Sequence, residues 1–347
     1  MLLLACGLRN LGHQQLIVCP RGSALEERAR ERGFEVFALR RRRLLGKLRL
    51  RRKLRRDGFE ILHAHDGRGQ TVSTLASLGL PVRRVATRRV TFTPRGLGCL
   101  FELQRLQYGP FCHAIIAVSA YVRDLLVRAG IPPVKIEVIP DGITIPDALP
   151  GDELRDDARR RWDLPADAFV IGHAGAFTLE KGQDVLLEAF SQVSSSVAGT
   201  RLLLAGEGPL RDSPRILELL RKAAGRARVL DWMNDLTPFF AALDLYVMPS
   251  RSEGLGSSAL LAMAHGLPVV ASRVGGLSEV VEDGITGWLV APESPDELAR
   301  ALVAAAHNRE CLRRFGASAR ERAQGFSADA MVRRTEALYR RLLEVAA

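Results

Sequence analysis

Three glycine-rich stretches in the second half of the chain each join a tight turn to residues that can handle charge. In GAFTLEKGQDVLLEAF (175–190) an apolar run ends at Gly175, a loop follows through Ala176, and Lys181 stands just before a helix pattern. An ammonium beside the free N–H groups of a helix start suits a phosphate. The plain alternative is an ordinary strand-to-helix turn with a solvated Lys181. AGEGPLR (205–211) supplies a second turn, Gly206–Glu207–Gly208, where a ligand lies close or the backbone takes positive φ. Neither turn has the spacing of a Walker or dinucleotide motif. The third stretch, MPSRSEGLGSSALLAMAHGLPVVAS (248–272), delivers Glu253 to a loop with Gly254 and Gly256, and Ser257 and Ser258 open an alanine-rich helix. A carboxylate beside an amide nest suits a ligand with both hydroxyls and phosphate; a helix-start charge is the alternative.

The first half offers a looser set. His63, His65 and Asp66 close the run EILHAHD, and Arg88 and Arg89 follow VAT. Histidines two apart on a strand share a face, but no third ligand accompanies them, so no metal is expected. His173 lies on an apolar strand and reads as a core histidine rather than a base.

These residues need a frame, and the chain supplies it by alternating short apolar runs with helical stretches, the pattern of parallel sheets covered on both faces. The first series of strands is expected at 16–20, 35–39, 60–65, 82–87, 113–119 and 136–140. The second is expected at 170–175, 201–209, 228–232, 244–250, 267–272 and 287–290. Residues 146–165 have proline at both ends and read as a connector with one short helix. The expected division is an N-terminal domain at 1–146, a C-terminal domain at 147–327 and a closing helix at 328–347. That helix shows Val332, Leu338, Leu342 and Val345 near one face. Two doubly wound domains imply a ligand cleft between them, outside the carboxyl ends of the strands.

Length and composition fit this frame. A chain of 347 residues with 47% hydrophobic and 26% charged residues has enough apolar surface for two cores, which excludes disordered and collagenous classes. The five cysteines are odd in number and carry no CxxC pair, so a reducing cytoplasm is expected rather than a disulfide scaffold or zinc site. The opening MLLLAC lacks the basic n-region and length of an export signal, and no apolar run reaches the ~18 residues of a membrane span. The net charge of +11 comes from one run, 40–56, with nine Arg, two Lys and no acid; outside it acids and bases are equal in number. Arg40–Arg56 admits three readings: a solvated helix and loop, a patch for an anionic membrane, or a nucleic-acid patch. Leu44, Leu45 and Leu48 give it an apolar side that favours the membrane.

The blocks EKGQDVLLEAF, AGEGP, DLYVMPSRSEGLG, AMAHGLPVVAS and VGGLSEVVEDGITGWLV, in this order and spacing, resemble the retaining glycosyltransferases of family 4. AVSAYVRDLLVRAGIPPVKIEVIPDGI (117–143) is similar to that family's run into its interdomain linker. The resemblance implies an α/β protein of the GT-B fold, two Rossmann-like domains facing a cleft. The N-terminal domain would serve the acceptor and the C-terminal domain the nucleotide-sugar. Lys181 matches the lysine that neutralises the donor diphosphate, and Glu253 matches the first glutamate of the Glu-x7-Glu motif, which contacts the donor sugar. Gly175, Ala176, the 206–208 turn, Leu261 and the amides of Leu255, Gly256 and Ser257 would line the donor, and His63, His65, Arg88 and Arg89 the acceptor. The donor would be UDP- or GDP-linked, with no cofactor or metal. The acceptor would be a glycan or a lipid-linked molecule of envelope polysaccharide or lipopolysaccharide synthesis. The protein would work in the cytoplasm or on the inner face of the membrane.

Three features depart from the pattern. The second glutamate, a ribose ligand, is Leu261; the arginine that often partners the lysine is Ala176. Residues 2–13 correspond to the end of the family's first helix, so the first strand and its glycine-rich loop have no counterpart. A start assigned too far downstream explains this more simply than a fold without its central strand. The N-terminal sheet is then expected to show two unpaired edges. These departures carry the alternative of a catalytically weak relative that binds nucleotide or glycan as a partner subunit. An NAD enzyme would need a GxGxxG turn, which the chain lacks, and sugar-nucleotide epimerisation matches the motif series less well.

Overall fold

The computed structural model describes residues 1–40, 44–91, 108–109 and 111–344. Residues 41–43 of the arginine run, Cys99 and Val345 lie outside these. The chain divides into two compact units, Met1–Gly142 with Ala328–Ala347, and Ile143–Ser327.

The second unit holds one six-stranded sheet: β7 (Phe169–Ala174), β8 (Thr200–Ala205), β9 (Ala227–Leu230), β10 (Leu245–Met248), β11 (Val269–Ser272) and β12 (Gly287–Val290). All pairings are parallel, in the order β12-β11-β10-β7-β8-β9. The runs without polar alternation become the strands buried on both faces: every residue of β7, β10 and β11 is buried. One face packs on the helix Gln183–Ser196, where Leu186, Leu187 and Phe190 meet Leu202, Leu204, Leu245 and Val247. The connector helix Asp152–Arg161 is pinned by Arg155 and Arg159, which both donate to Asp244 at the start of β10.

In the first unit the parallel strands fall into two sets. β1 (Leu16–Pro20) pairs with β2 (Glu35–Leu39); β3 (Ile61–Ala64), β4 (Arg83–Arg88), β5 (Ala114–Ala117) and β6 (Ile136–Val138) form a second sheet in that order. Shared helices place both sets in one layer. The helix Leu2–Asn10 sends Leu4 and Leu8 onto Val85 and Ile116, and Ala5 onto Ile17. On the cluster formed by Leu50 and Leu54 of the helix Leu44–Arg56 lie Leu16 and Val18 of β1 and Leu62 of β3. Among the described residues no strand pairs with both β1 and β3. β3 has only Ala64 buried, whereas β5 is buried throughout. The helix Ala328–Glu344 joins this unit through Met331, Val332, Leu338 and Tyr339, which pack with Leu4 and Leu8.

Candidate active site

In the second unit the chain builds outward from β7 through β8 and β9, then returns to β10 and builds the other way through β11 and β12. The sheet reverses between β7 and β10, the place where an open α/β sheet binds ligands outside its strand ends. The loops that leave those two strands carry Lys181 and Glu253. They meet there: Lys181 Nζ donates to Glu253 Oε2 at 2.6 Å, with both side chains mostly covered.

Backbone contacts possible only for glycine hold these loops together. Gly206 has φ 142°, and a Cβ on it would stand 2.2 Å from the Gly175 carbonyl oxygen. A Cβ on Gly208 (φ 150°) would strike the backbone of Phe177, and one on Gly182 (φ 68°) would lie 2.1 Å from the Pro249 carbonyl oxygen. Of the two roles open to the Gly206–Glu207–Gly208 turn, the structure displays positive φ together with loop-on-loop packing. Phe177 N donates to the Glu207 carbonyl at 2.8 Å, while the Glu207 side chain is exposed.

Gly256 (φ 101°) caps the helix Ser257–Ala264, and no side chain caps its N-terminus. The amides of Leu255, Gly256 and Ser257 thus belong to an uncapped helix start a few residues from Glu253. Leu261 lies one turn further along and is half-buried. The Ala176 carbonyl accepts from Gln183 Nε2 at 2.9 Å.

Beneath the loops, His173 Nδ1 lies 2.9 Å from the Val247 carbonyl, and its Nε2 is 3.3 Å from Gln183 Nε2. A ring that donates to the carbonyl and accepts from the amide is neutral, and burial lowers its pKa to about 4. It is a core histidine, as its apolar strand indicates. Tyr246 Oη closes the same region by donating to the Ala174 carbonyl at 3.0 Å; burial raises its pKa to about 12.

Arg251 carries a positioning role that the motifs do not announce. Its guanidinium donates to both Asp184 oxygens at 2.8 Å, to the Leu179 carbonyl at 2.9 Å and to Glu293 at 2.9 Å. It thereby ties the Glu253 loop to the turn that carries Lys181. Burial works against charge on Asp184, but the Arg251 bonds outweigh it and hold the carboxyl below its ordinary pKa. Gly275 and Gly276 were also silent in the sequence. The Gly276 N–H donates to the Glu253 carbonyl at 3.1 Å, and a Cβ on either glycine would collide with the 253–255 backbone.

The first-unit candidates form their own cluster. His63 Nδ1 lies 2.6 Å from Tyr339 Oη and its Nε2 lies 2.7 Å from Thr87 Oγ1. Desolvation lowers the His63 pKa to about 3 and that of His65 well below its ordinary value. Arg89 makes a two-pronged bond to Asp141 at 2.7 and 2.8 Å and donates to the His65 carbonyl. Arg88 Nε donates to the Val90 carbonyl at 3.1 Å. His63 and Arg89 thus spend polar atoms on the fold itself. Among the described residues no three His, Cys, Asp or Glu side chains are grouped to hold a metal.

Two family models match the chain, one described as Glycosyltransferase Family 4 over residues 1–145 and one as Glycosyl transferases group 1 over residues 168–308. The chain belongs to these glycosyltransferases. It is 36% identical over 216 residues to a D-inositol 3-phosphate glycosyltransferase of Geodermatophilus obscurus, covering 59% of this chain and 47% of that one. A lipopolysaccharide core biosynthesis glycosyltransferase of Rhizobium meliloti, LpsE, is 37% identical over 144 residues, 42% of this chain and 41% of its own. The chain spans about half the length of the curated relatives it matches. Among solved structures, Anabaena HepE in complex with UDP and glucose superposes with a TM-score of 0.86 at 21% identity, covering 97% of this chain and 94% of HepE. The fold is therefore GT-B. The candidates expected on the donor side converge on the switch point of the second unit, and those expected on the acceptor side gather in the first.

Proposed function

We propose that the protein transfers a sugar, with retention, from a UDP- or GDP-linked donor to a glycan or lipid-linked acceptor in cell-envelope polysaccharide or lipopolysaccharide synthesis. The observation that carries this is the 2.6 Å contact between Lys181 and Glu253 at the switch point, beside an uncapped helix start. Departure of a nucleoside diphosphate is the difficult step, and it needs positive charge and amide dipoles at the leaving phosphate. Lys181 and the amides of Leu255, Gly256 and Ser257 supply both. Glu253 accepts hydroxyls of the donor sugar, with Gly175, Ala176 and the 206–208 turn forming the floor. His63, His65, Arg88 and Arg89 serve the acceptor. No step calls for a metal or cofactor. The relatives named as D-inositol 3-phosphate and lipopolysaccharide core glycosyltransferases support a polar acceptor, and the second of them supports one in lipopolysaccharide synthesis, which a place on the cytoplasmic face suits.

The reading is tested by Glu253→Ala and Lys181→Ala. Each is expected to lower transfer from the accepted nucleotide-sugar by about 100-fold or more, with melting unchanged to within a few degrees. Undiminished turnover in either variant overturns its assignment. A second reading, a weak or inactive relative that binds nucleotide or glycan as a partner subunit, is favoured by Leu261 and Ala176. It predicts nucleotide binding without turnover in the unaltered chain.

A further inference from the structure

Arginine recurs at the carboxyl ends of the strands in the first unit. Arg21 follows the last residue of β1 and Arg40 the last residue of β2, while β4 itself ends in Arg88. After β3, Arg68 stands in the first turn of the helix Gly67–Ser77. These ends lie on one side of the layer. The helix Leu44–Arg56 connects β2 to β3 and packs with Phe37 and Leu39 of the one and Leu62 of the other. A helix that crosses back over one layer in this way joins strands running in the same direction.

The acids at this edge are engaged. Asp66 Oδ1 accepts the Gly69 N–H at 2.7 Å, and Asp141 is held by both prongs of Arg89. Glu26, in the helix after β1, accepts from Arg30 and from the Gly22 N–H. Arg21, Arg40 and Arg68 are exposed, and among the described residues none of them forms an ion pair. Arg68 also opposes its own helix: beyond the capping Asp66 the first turn holds no acid, and the positive end of the helix dipole lies there. A cation kept where it weakens its helix is accounted for by a ligand rather than by the fold.

An arginine fork grips carboxylate or phosphate alike. A carboxylate is planar, carries one charge and is filled by a single fork, as Asp141 is by Arg89. Forks supplied by separate strands suit a tetrahedral group with more charge, and a phosphate monoester offers nearly two charges on three oxygens. We infer that the acceptor carries a phosphate monoester, bound at the strand ends of the first unit by Arg21, Arg40 and Arg68. The inference rests on the proposed function in naming this ligand an acceptor, but the phosphate site is measured without turnover.

The test is calorimetry on the full chain carrying Lys181→Met, which weakens phosphate binding on the donor side. Glycerol 3-phosphate, a monoester, is expected to bind about tenfold or more tighter than glycerophosphoglycerol, a diester with one charge, and glycerol is expected not to bind. Arg21→Gln with Arg68→Gln removes two charged hydrogen bonds and should weaken glycerol 3-phosphate binding by about tenfold or more. Both side chains are exposed, so the melting temperature should not fall, and Arg68→Gln alone should raise it slightly by relieving the helix dipole. Absent binding of the monoester, equal affinity for monoester and diester, or unchanged affinity in the arginine pair overturns the proposal. Failure of the transferase reading looks different: arginine-dependent phosphate binding persists, while the unaltered chain consumes no nucleotide-sugar with any phosphorylated acceptor.

Discussion

Replacing Gly276 by alanine tests whether loop packing sets the position of Glu253. Gly276 has φ −67°, so alanine meets no conformational strain there. Its Cβ, however, would stand 2.3 Å from the Gly254 carbonyl oxygen and 2.6 Å from the Leu255 Cα. Ordinary contact begins near 3.4 Å, and these neighbours are backbone rather than a movable side-chain tip. The 253–255 segment must retreat by about 1 Å, and such a displacement of a reacting group costs on the order of 100-fold in rate. That is about 2.7 kcal/mol of transition-state stabilisation. Overpacking also takes about 1 to 3 kcal/mol from stability, so turnover must be measured where the variant is fully folded. Gly151→Ala is the control, since nothing lies within 4 Å of its Cβ position and its φ is −73°. The assay is kcat/KM for sugar transfer in the three proteins. If Gly276→Ala stays within about threefold of the unaltered chain, Glu253 is not held by this contact and the reasoning fails.

Leu261→Glu restores a carboxylate where the family pattern has one. A charged hydrogen bond of about 1.5 to 3 kcal/mol should tighten nucleoside diphosphate binding by roughly 10- to 100-fold in calorimetry, and an unchanged Kd would mean the ribose is held elsewhere. His173 is buried with a pKa of about 4, below the ~6.5 of an unfolded histidine. The unfolded chain therefore takes up the proton first. Its contribution is intact above pH 6.5 and falls as the pH drops towards 4, by up to about 1.4 kcal/mol per unit and about 2 kcal/mol by pH 5. Urea unfolding of His173→Asn between pH 7 and 5 should show a shallower loss than the unaltered chain, and parallel slopes would sink this account.

The strands were legible because parallel sheets buried on both faces demand apolar runs, and such runs as VIGHA and LYVM stand out between polar helices. The pairing of Lys181 with Glu253 was legible only as two motifs, 72 residues apart, that the switch point then unites. Arg251 was not, because an arginine inside SRSEG looks like any surface charge until its four acceptors are seen. Gly275–Gly276 was missed for a related reason: a glycine pair after a strand reads as a turn, and only the backbone of another loop reveals that its lack of a side chain is what matters. His63 reads as an exposed strand-end residue, but Tyr339, 276 residues away, occupies one of its nitrogens. Long-range partners of this kind leave no local period or composition behind.

Lys181 and Glu253 neutralise each other across 2.6 Å, and this sets an order on donor recognition. Both side chains keep a minor part of their surface in water, so a stronger anion can reach the ammonium and compete for it. A diphosphate carries more negative charge than the carboxylate and is also met by the helix amides, so it draws the ammonium from Glu253. The carboxylate is then released to accept sugar hydroxyls. A free sugar has no charge with which to compete for Lys181, and it meets a carboxylate already engaged. Under the proposed function, a nucleoside diphosphate should therefore bind alone, whereas the free sugar should bind only once the nucleotide is present. Titrating the sugar with and without saturating nucleoside diphosphate reads this directly, by calorimetry or by saturation-transfer NMR. Equal sugar affinity in both conditions would show that Glu253 is available without help from the phosphate. Lys181→Met should then remove the order, leaving weak sugar binding that no longer depends on the nucleotide.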